Sequence, residues 1–188
     1  MEEFNRFGII VNELQKEVEL YEELYGNSDA VSILNQSAMQ VFSIIQRAMF
    51  FEIVTRLASL FDPAKTGKDS NLSFKYLLES VEGKLEPKTE RLIAQTFELY
   101  DTTGIKNYRS KALAHLDLKH YLGKKNLATN ISYESVSNIL SNLEILIRSI
   151  PVEVGLLAKD HAIYRDSRLP EKSGGLALLA KLQVVHNN

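Results

Sequence analysis

The amino-acid sequence predicts an all-α protein, a bundle of long antiparallel helices. Apolar side chains recur at spacings of three and four residues along most of the chain. Residues that start or stop helices stand between these runs, and no segment shows the sustained apolar–polar alternation of a half-buried strand. We expect one helical bundle domain over residues 1–165, followed by a tail with a short helix over residues 166–188.

The first two predicted helices cover residues 2–25 and 29–61. Gly26-Asn27 ends the first, and we expect Ser28 or Asp29 to cap the second. In the second, apolar residues step by four and three, a spacing typical of a coiled-coil seam, along Leu34, Ala38, Val41, Ile45 and Ala48. Further apolar residues widen this band, so we expect it to face its own bundle and a second subunit; they are Ile44, Phe51, Leu57 and Leu60.

The middle of the chain predicts a loop and three shorter helical segments. Pro63 and Gly67 mark a loop over residues 62–69. A short helix over 71–81 follows, with Ser70 or Asn71 as its cap. The next two helical segments cover 87–100 and 105–122, separated by an interruption at 101–104.

The last long helix begins after Ser132, a residue that commonly caps helices. Pro151 lies inside the helical run and should kink it. After a polar stretch, residues 176–185 form a short apolar tail. This tail is expected to dock either on the bundle or on a partner, and the sequence leaves that choice open.

The composition excludes several classes of site. The chain has no cysteine, so it forms no disulfide, thiolate metal site or thiol nucleophile. Its four histidines are scattered, and we expect neither a metal ion nor another cofactor. The formal net charge of −2 argues against a constitutive nucleic-acid coat protein, but not against a local basic site.

The sequence predicts no membrane partner. Residues 1–6 are too acidic and polar for the start of a secretory signal. No apolar run approaches the roughly 18 residues of a membrane span. We therefore expect a cytoplasmic protein.

Residues 109–117 carry the strongest functional signal, because arginine, lysine, histidine and aspartate stand within nine positions. Cleavage of RNA without a metal needs proton transfer at the 2′-hydroxyl and the leaving 5′-oxygen, which suits His115. It also needs positive charge on the phosphate, which Arg109 supplies by two-point bonding. Lys111 would add charge and Asp117 would orient the imidazole.

The spacing alone does not establish this chemistry. Arg109 and His115 lie about 120° apart on a regular helix, so they share a cleft only if the helix ends or distorts, or if a second subunit closes the site. Lys111 and His115 do share a face. Two solvated side chains on a helix are the commoner reason for such a pair.

A resemblance favours the functional interpretation. Arg109-x5-His115 matches the Arg-x(4–6)-His signature of the HEPN superfamily. The run Ala114-His115-Leu116-Asp117 is similar to the AbiU-like abortive-infection branch, as is the segment from Arg56 through Asp62-Pro63-Ala64-Lys65-Thr66 to Asn71-Leu72-Ser73. The resemblance covers residues 30–150.

What the resemblance implies is a helical bundle, commonly a dimer, whose arginine and histidine pairs line a shared cleft. Many members are metal-independent RNases that act in phage defence or as toxins. By this match Arg109 and His115 are the candidate catalytic residues. Many active members carry an amide or acid after the arginine, whereas this chain has Ser110.

Several neighbouring residues have two interpretations. Glu52 and Arg56 form either an ion pair within one helix or part of the cleft. Asp62 and Lys65 either form a capped turn or belong to the site. Tyr108 and Tyr121 either pack or stack on a base.

These observations support three hypotheses. The first is a metal-independent endoribonuclease that acts as the effector of a phage-defence or toxin–antitoxin system. Its expected partners are RNA and a cognate antitoxin protein, and its expected assembly is a homodimer. The second is a non-catalytic module that binds nucleotide, RNA or protein through the same cleft. The third is an oligomerising helical adaptor, which predicts no RNA affinity at any salt concentration.

Overall fold

Helices make up most of the computed structural model, which describes residues 1–81, 83, 85–114, 129–158, 168–170 and 172–186. The α-helices of these residues are α1 (Glu2–Tyr25), α2 (Ser28–Leu60), α3 (Phe74–Glu79), α4 (Pro87–Thr103), α5 (Ile105–Tyr108), α6 (Tyr133–Glu153) and α7 (Gly175–His186). A π-helical segment, Arg109–Ala114, continues α5. Strands β1 (Lys65–Thr66) and β2 (Asp69–Ser70) form one antiparallel hairpin. The prediction of an all-α fold is confirmed, with this hairpin as a small addition.

The main core lies between α1, α2, α4 and α6. Helix α1 packs against α2 and α6, and α4 packs against α6. Helices α1 and α6 each bury an apolar face, because burying one stripe is the main source of helix stability in a protein. Helix α2 buries Leu34, Leu57 and Leu60 of its predicted band, whereas the middle of that band is exposed, including Val41, Ile44, Ile45 and Ala48. Residues with no exposed surface include Phe7, Leu14, Val54, Leu57, Ile139 and Leu143.

Helix α2 is interrupted at Ala38, where the sequence predicted a continuous helix. Ala38 has φ −164° and ψ 72°, outside the helical region. Before this break, Leu34 packs in a small cluster with Leu179 of α7. After it, Leu57 lies in the main core. The interruption therefore separates two parts of the helix that follow different neighbours.

Two predicted helix caps were wrong by a few residues. Asn27, not Ser28 or Asp29, caps α2, because its side chain accepts a hydrogen bond from the Ala30 N–H at 2.9 Å. Ser73 caps α3 in the same way, at 3.3 Å from the Tyr76 N–H. Helix α3 therefore begins at Phe74, three residues later than predicted.

The C-terminal helix α7 docks on the bundle, which answers the question the sequence left open. The Glu23 carboxylate of α1 accepts bonds from the N–H groups of Gly175 at 2.6 Å and Leu176 at 3.3 Å. A Cβ atom on Gly175 would lie 2.9 Å from the Glu23 Cβ. Glycine is therefore required for this close approach.

Pro151 lies close to the C-terminus of α6 and does not end the helix. The helix continues through Pro151 for two more residues and ends at Glu153, and Gly155 follows with φ 75°. Ser132 caps the other end with a reciprocal pair of bonds to Ser135, as its position predicted.

Candidate functional site

The candidate site is built around an ion pair between two residues far apart in the sequence. Arg109 donates from Nη1 to Oδ1 of Asp62 at 2.7 Å. Asp62 follows the C-terminus of α2, and Arg109 is the first residue of the π-helical segment. Both side chains are about one third exposed, at 33% and 36%. The guanidinium is thus oriented by a carboxylate while part of it still faces solvent.

The backbone around Arg109 is fixed by its neighbours. Gly104 has φ 69° and separates α4 from α5, so the chain changes direction just before the site. Tyr108 packs edge-on against Phe50 of α2, with ring centroids 5.9 Å apart. Tyr108 therefore serves as a packing residue, the first of its two interpretations, and holds the start of the π-helical segment against α2.

Tyr100 lies beside the ion pair and was missed by the sequence analysis. Its ring stacks on Phe61, with centroids 4.0 Å apart and an angle of 6°. Burial, together with the nearby Asp62 carboxylate, raises the pKa of Tyr100 to about 12, and the Arg109 charge acts against this shift. No local pattern marks Tyr100, because only the packing of α4 against the end of α2 brings it to this position.

The segment after Tyr108 is π-helical, whereas the sequence predicted a regular helix over 105–122. In a π-helix the hydrogen bonds span five residues, so the 100° step of a regular helix does not describe residues 109–114. Ser110 is exposed and Lys111 half-buried. The predicted site residues His115, Asp117 and Tyr121 lie outside the described residues. Single π-helical turns occur frequently at functional sites.

Arg56 forms its ion pairs with α1 and not with Glu52 of its own helix, which was one of the two interpretations of these residues. Its guanidinium contacts Glu13 at 3.0 Å and also Glu17. Glu13 and Glu17 lie one turn apart on α1, so the guanidinium can bond to two carboxylates at once. A single exposed pair within one helix would provide only one carboxylate. Burial raises the pKa of Glu17, and the Arg56 charge acts against that shift.

Glu52 is exposed and borders a surface depression of about 500 Å³. The depression is otherwise mainly apolar; its remaining lining residues are Glu17, Leu20, Ala48, Met49 and Ile53. The structure therefore places Glu52 and Arg56 beside α1, and it does not join them to the pair of Arg109 and Asp62.

Lys65 lies on the hairpin that follows Asp62. It is exposed and pairs with Ser70 across the two strands. The turn between the strands contains Gly67, whose φ of 62° suits glycine. The predicted loop over 62–69 therefore contains a hairpin. Asp62, the first residue of that range, binds Arg109.

The described residues contain neither a metal-binding cluster nor a helix able to span a membrane. No group of three His, Asp or Glu side chains among them is arranged to hold a metal ion. No helix in the described ranges is both long and apolar enough to cross a membrane.

Comparison with known proteins assigns the class. The family model of AbiU2, a HEPN family, matches residues 5–163 of the chain. The chain therefore belongs to the AbiU2 family of HEPN proteins. No match was found among curated proteins or among solved structures.

Proposed function

We propose that this protein is a metal-independent endoribonuclease, acting in the cytoplasm as the effector of a phage-defence or toxin–antitoxin system. The observation that carries the proposal is the Arg109 guanidinium, held by Asp62 at 2.7 Å and still partly exposed, in an AbiU2-family chain. An oriented guanidinium is suited to a scissile phosphate because its planar fork matches two phosphate oxygens.

The reaction divides between proton transfer and charge stabilisation. The RNA 2′-oxygen attacks the phosphorus and gives its proton to a base, the bond to the 5′-oxygen breaks, and that oxygen receives a proton from an acid. In this proposal His115 carries out proton transfer and Asp117 orients it. Arg109 holds the phosphate and stabilises its developing charge, and Lys111 adds positive field. The product is a 2′,3′-cyclic phosphate.

A homodimer is part of the proposal, and an exposed apolar stripe on α2 supports it. The stripe consists of Val41, Ile44, Ile45 and Phe51. These residues lie within about 120° of one another around the helix. Phe51 follows Phe50, which packs on Tyr108, so the stripe borders the segment that carries Arg109. Contiguous apolar surface of this kind commonly marks an interface.

The test is cleavage of labelled RNA by purified protein in EDTA, with analysis of the 3′ ends. Wild type is expected to leave 2′,3′-cyclic phosphate, and Arg109→Ala and His115→Ala are expected to lose activity. Lys106→Ala is a suitable control, because Lys106 is an exposed cation three residues before Arg109. Activity that survives both site substitutions would overturn the proposal.

The alternative is a non-catalytic module that binds RNA, nucleotide or a partner such as an antitoxin. Two features favour it: Asp62 already neutralises part of the Arg109 charge, and an exposed serine follows the arginine. This alternative predicts RNA affinity that is lost with Arg109→Ala and retained with His115→Ala, because phosphate capture needs the charge and not the proton.

A further inference from the structure

Asn71 makes three hydrogen bonds to the segment that directly follows Asp62. Its side-chain Nδ2 donates to the Pro63 carbonyl at 2.7 Å and to the Thr66 hydroxyl at 2.8 Å. Its backbone N–H donates to the Ala64 carbonyl at 2.8 Å. One residue thus fixes three of the four positions between Asp62 and the hairpin turn.

These bonds matter because the hairpin itself is short. Each strand has two residues, pairing Lys65 with Ser70 and Thr66 with Asp69. All four residues are exposed. An isolated two-stranded hairpin is marginally stable in water, and strands of this length provide even less pairing. The bonds from Asn71 are therefore a main restraint on the path of residues 63–66.

The other side of Asp62 is anchored by aromatic packing. Phe61 is buried, stacks on Tyr100 and contacts Phe97 edge-on, with centroids 5.6 Å apart. The Asp62 N–H donates to the Ser59 carbonyl at 3.2 Å. Asp62 is consequently held on its N-terminal side by the core and on its C-terminal side by the segment that Asn71 braces.

The hydrogen bond that Arg109 donates to Asp62 orients the guanidinium more than it stabilises the fold. Ion pairs that are about one third exposed, as this one is, contribute little to stability. A free arginine side chain explores many rotamers, so holding it in one conformation costs conformational entropy. If the Asp62 carboxylate is itself held in place, it orders the Arg109 side chain before RNA binds, so RNA binding does not have to supply this entropy. This requires that the backbone of Asp62 does not move.

We infer that Asn71 is a positioning residue of the site, which acts on Arg109 through the braced segment and Asp62. This inference rests on the proposed function for its purpose, since an oriented guanidinium serves phosphate binding. Asn71 would not touch RNA. Its loss would leave Asp62 and Arg109 chemically intact but poorly placed.

The direct test observes the Arg109 guanidinium by NMR in full-length, isotope-labelled protein. The Nη–H signals of an arginine are resolved when an acceptor restricts rotation of the guanidinium, and Arg109→Lys assigns them by their disappearance. Asn71→Ala is expected to broaden or remove these signals, as Asp62→Asn does. Asn107→Ala, the same change at an exposed position near Arg109, is expected to leave them unchanged.

Cleavage kinetics provide a second measurement that a merely structural role would not reproduce. Asn71→Ala should lower the single-turnover rate by about tenfold, since misplacement of a catalytic group is costly even when the group is present. The same change should have little further effect in the Asp62→Asn background, because residues that act through one contact are not additive.

The outcomes separate this inference from the proposed function. An unchanged Arg109 signal in folded Asn71→Ala overturns the inference, as do fully additive rate effects. If Asn71→Ala does not fold, Thr66→Val removes one of the bonds while keeping a β-branched side chain, and an unchanged signal there overturns it. If wild type cleaves no RNA, the proposed function fails while the NMR result still decides the role of Asn71.

Discussion

Arg109 and Asp62, separated by 47 positions in the chain, form a hydrogen-bonded ion pair of 2.7 Å at the surface of the bundle. The pair joins the end of α2 to the start of the π-helical segment. It orients a cation that the sequence singled out for phosphate binding, and it assigns a structural partner to the aspartate of the Asp-Pro-Ala-Lys-Thr loop.

The shape of the Arg109 guanidinium should matter as much as its charge. Arg109→Lys keeps the positive charge but loses the fork that contacts Asp62 and two phosphate oxygens together. We expect single-turnover RNA cleavage in EDTA to fall by about 100-fold, while the salt dependence of RNA affinity is retained. Full activity in Arg109→Lys would show that charge alone suffices.

Tyr100 should make stability fall at alkaline pH. Its pKa is 10.0 in the unfolded chain and about 12 in the fold, so between these values only the unfolded chain loses the proton. The stabilisation is complete below pH 10 and is lost as the pH rises through about 12, with about 2 kcal/mol lost by about pH 11.5. Urea unfolding at about pH 8 and about pH 11.5 measures it.

The control for this titration is Tyr100→Phe, which keeps the stacking ring and removes the phenol. Because the chain has eight tyrosines, only the difference between wild type and variant reports on Tyr100. Equal alkaline losses in the two proteins would contradict the prediction.

The exposed stripe of α2 should mediate self-association. Ile44→Asp places a charge in the stripe and is expected to convert a dimer to a monomer in sedimentation velocity. Ile145→Asp is a matched control on α6, because the two isoleucines are exposed to nearly the same extent, 56% and 53%. A dimer that persists in Ile44→Asp, or that is lost equally in both variants, would exclude this interface.

Glu23 should hold the C-terminal helix on the bundle. Glu23→Ala removes the acceptor for the N–H groups of Gly175 and Leu176, at a cost of about 1 kcal/mol, comparable with loss of a helix cap. Hydrogen exchange should accelerate at these two amides and through the first turn of α7. Glu22→Ala, one position earlier on α1, is the control, and similar exchange rates in the two variants would contradict the prediction.

The local pattern of the sequence was sufficient for the all-α fold and most helix limits. Helix α1 covers the predicted residues 2–25, and Ser132 caps α6 as expected. These features depend on apolar periodicity and on side chains that bond within three residues, which are properties of short segments. The hypothesis about residues 109–117 likewise arose from side-chain chemistry within nine positions.

Contacts between distant segments decided the remainder. The sequence allowed Arg56 either to pair with Glu52 on its own helix or to line the cleft, but the packing of α1 brings Glu13 and Glu17 to its guanidinium. The break at Ala38 and the docking of α7 follow from packing that no local pattern encodes.

The sequence by itself therefore determined which helices form and which residues are chemically able to bind phosphate and move a proton. Only the tertiary structure decided that Asp62 is the partner of Arg109, that Tyr100 lies beside them and that Asn71 braces their connection. The physical reason is the distance along the chain over which each kind of interaction acts. Helix periodicity and capping act over one or two turns, whereas the orientation of Arg109 depends on side chains that meet only after the helices have packed.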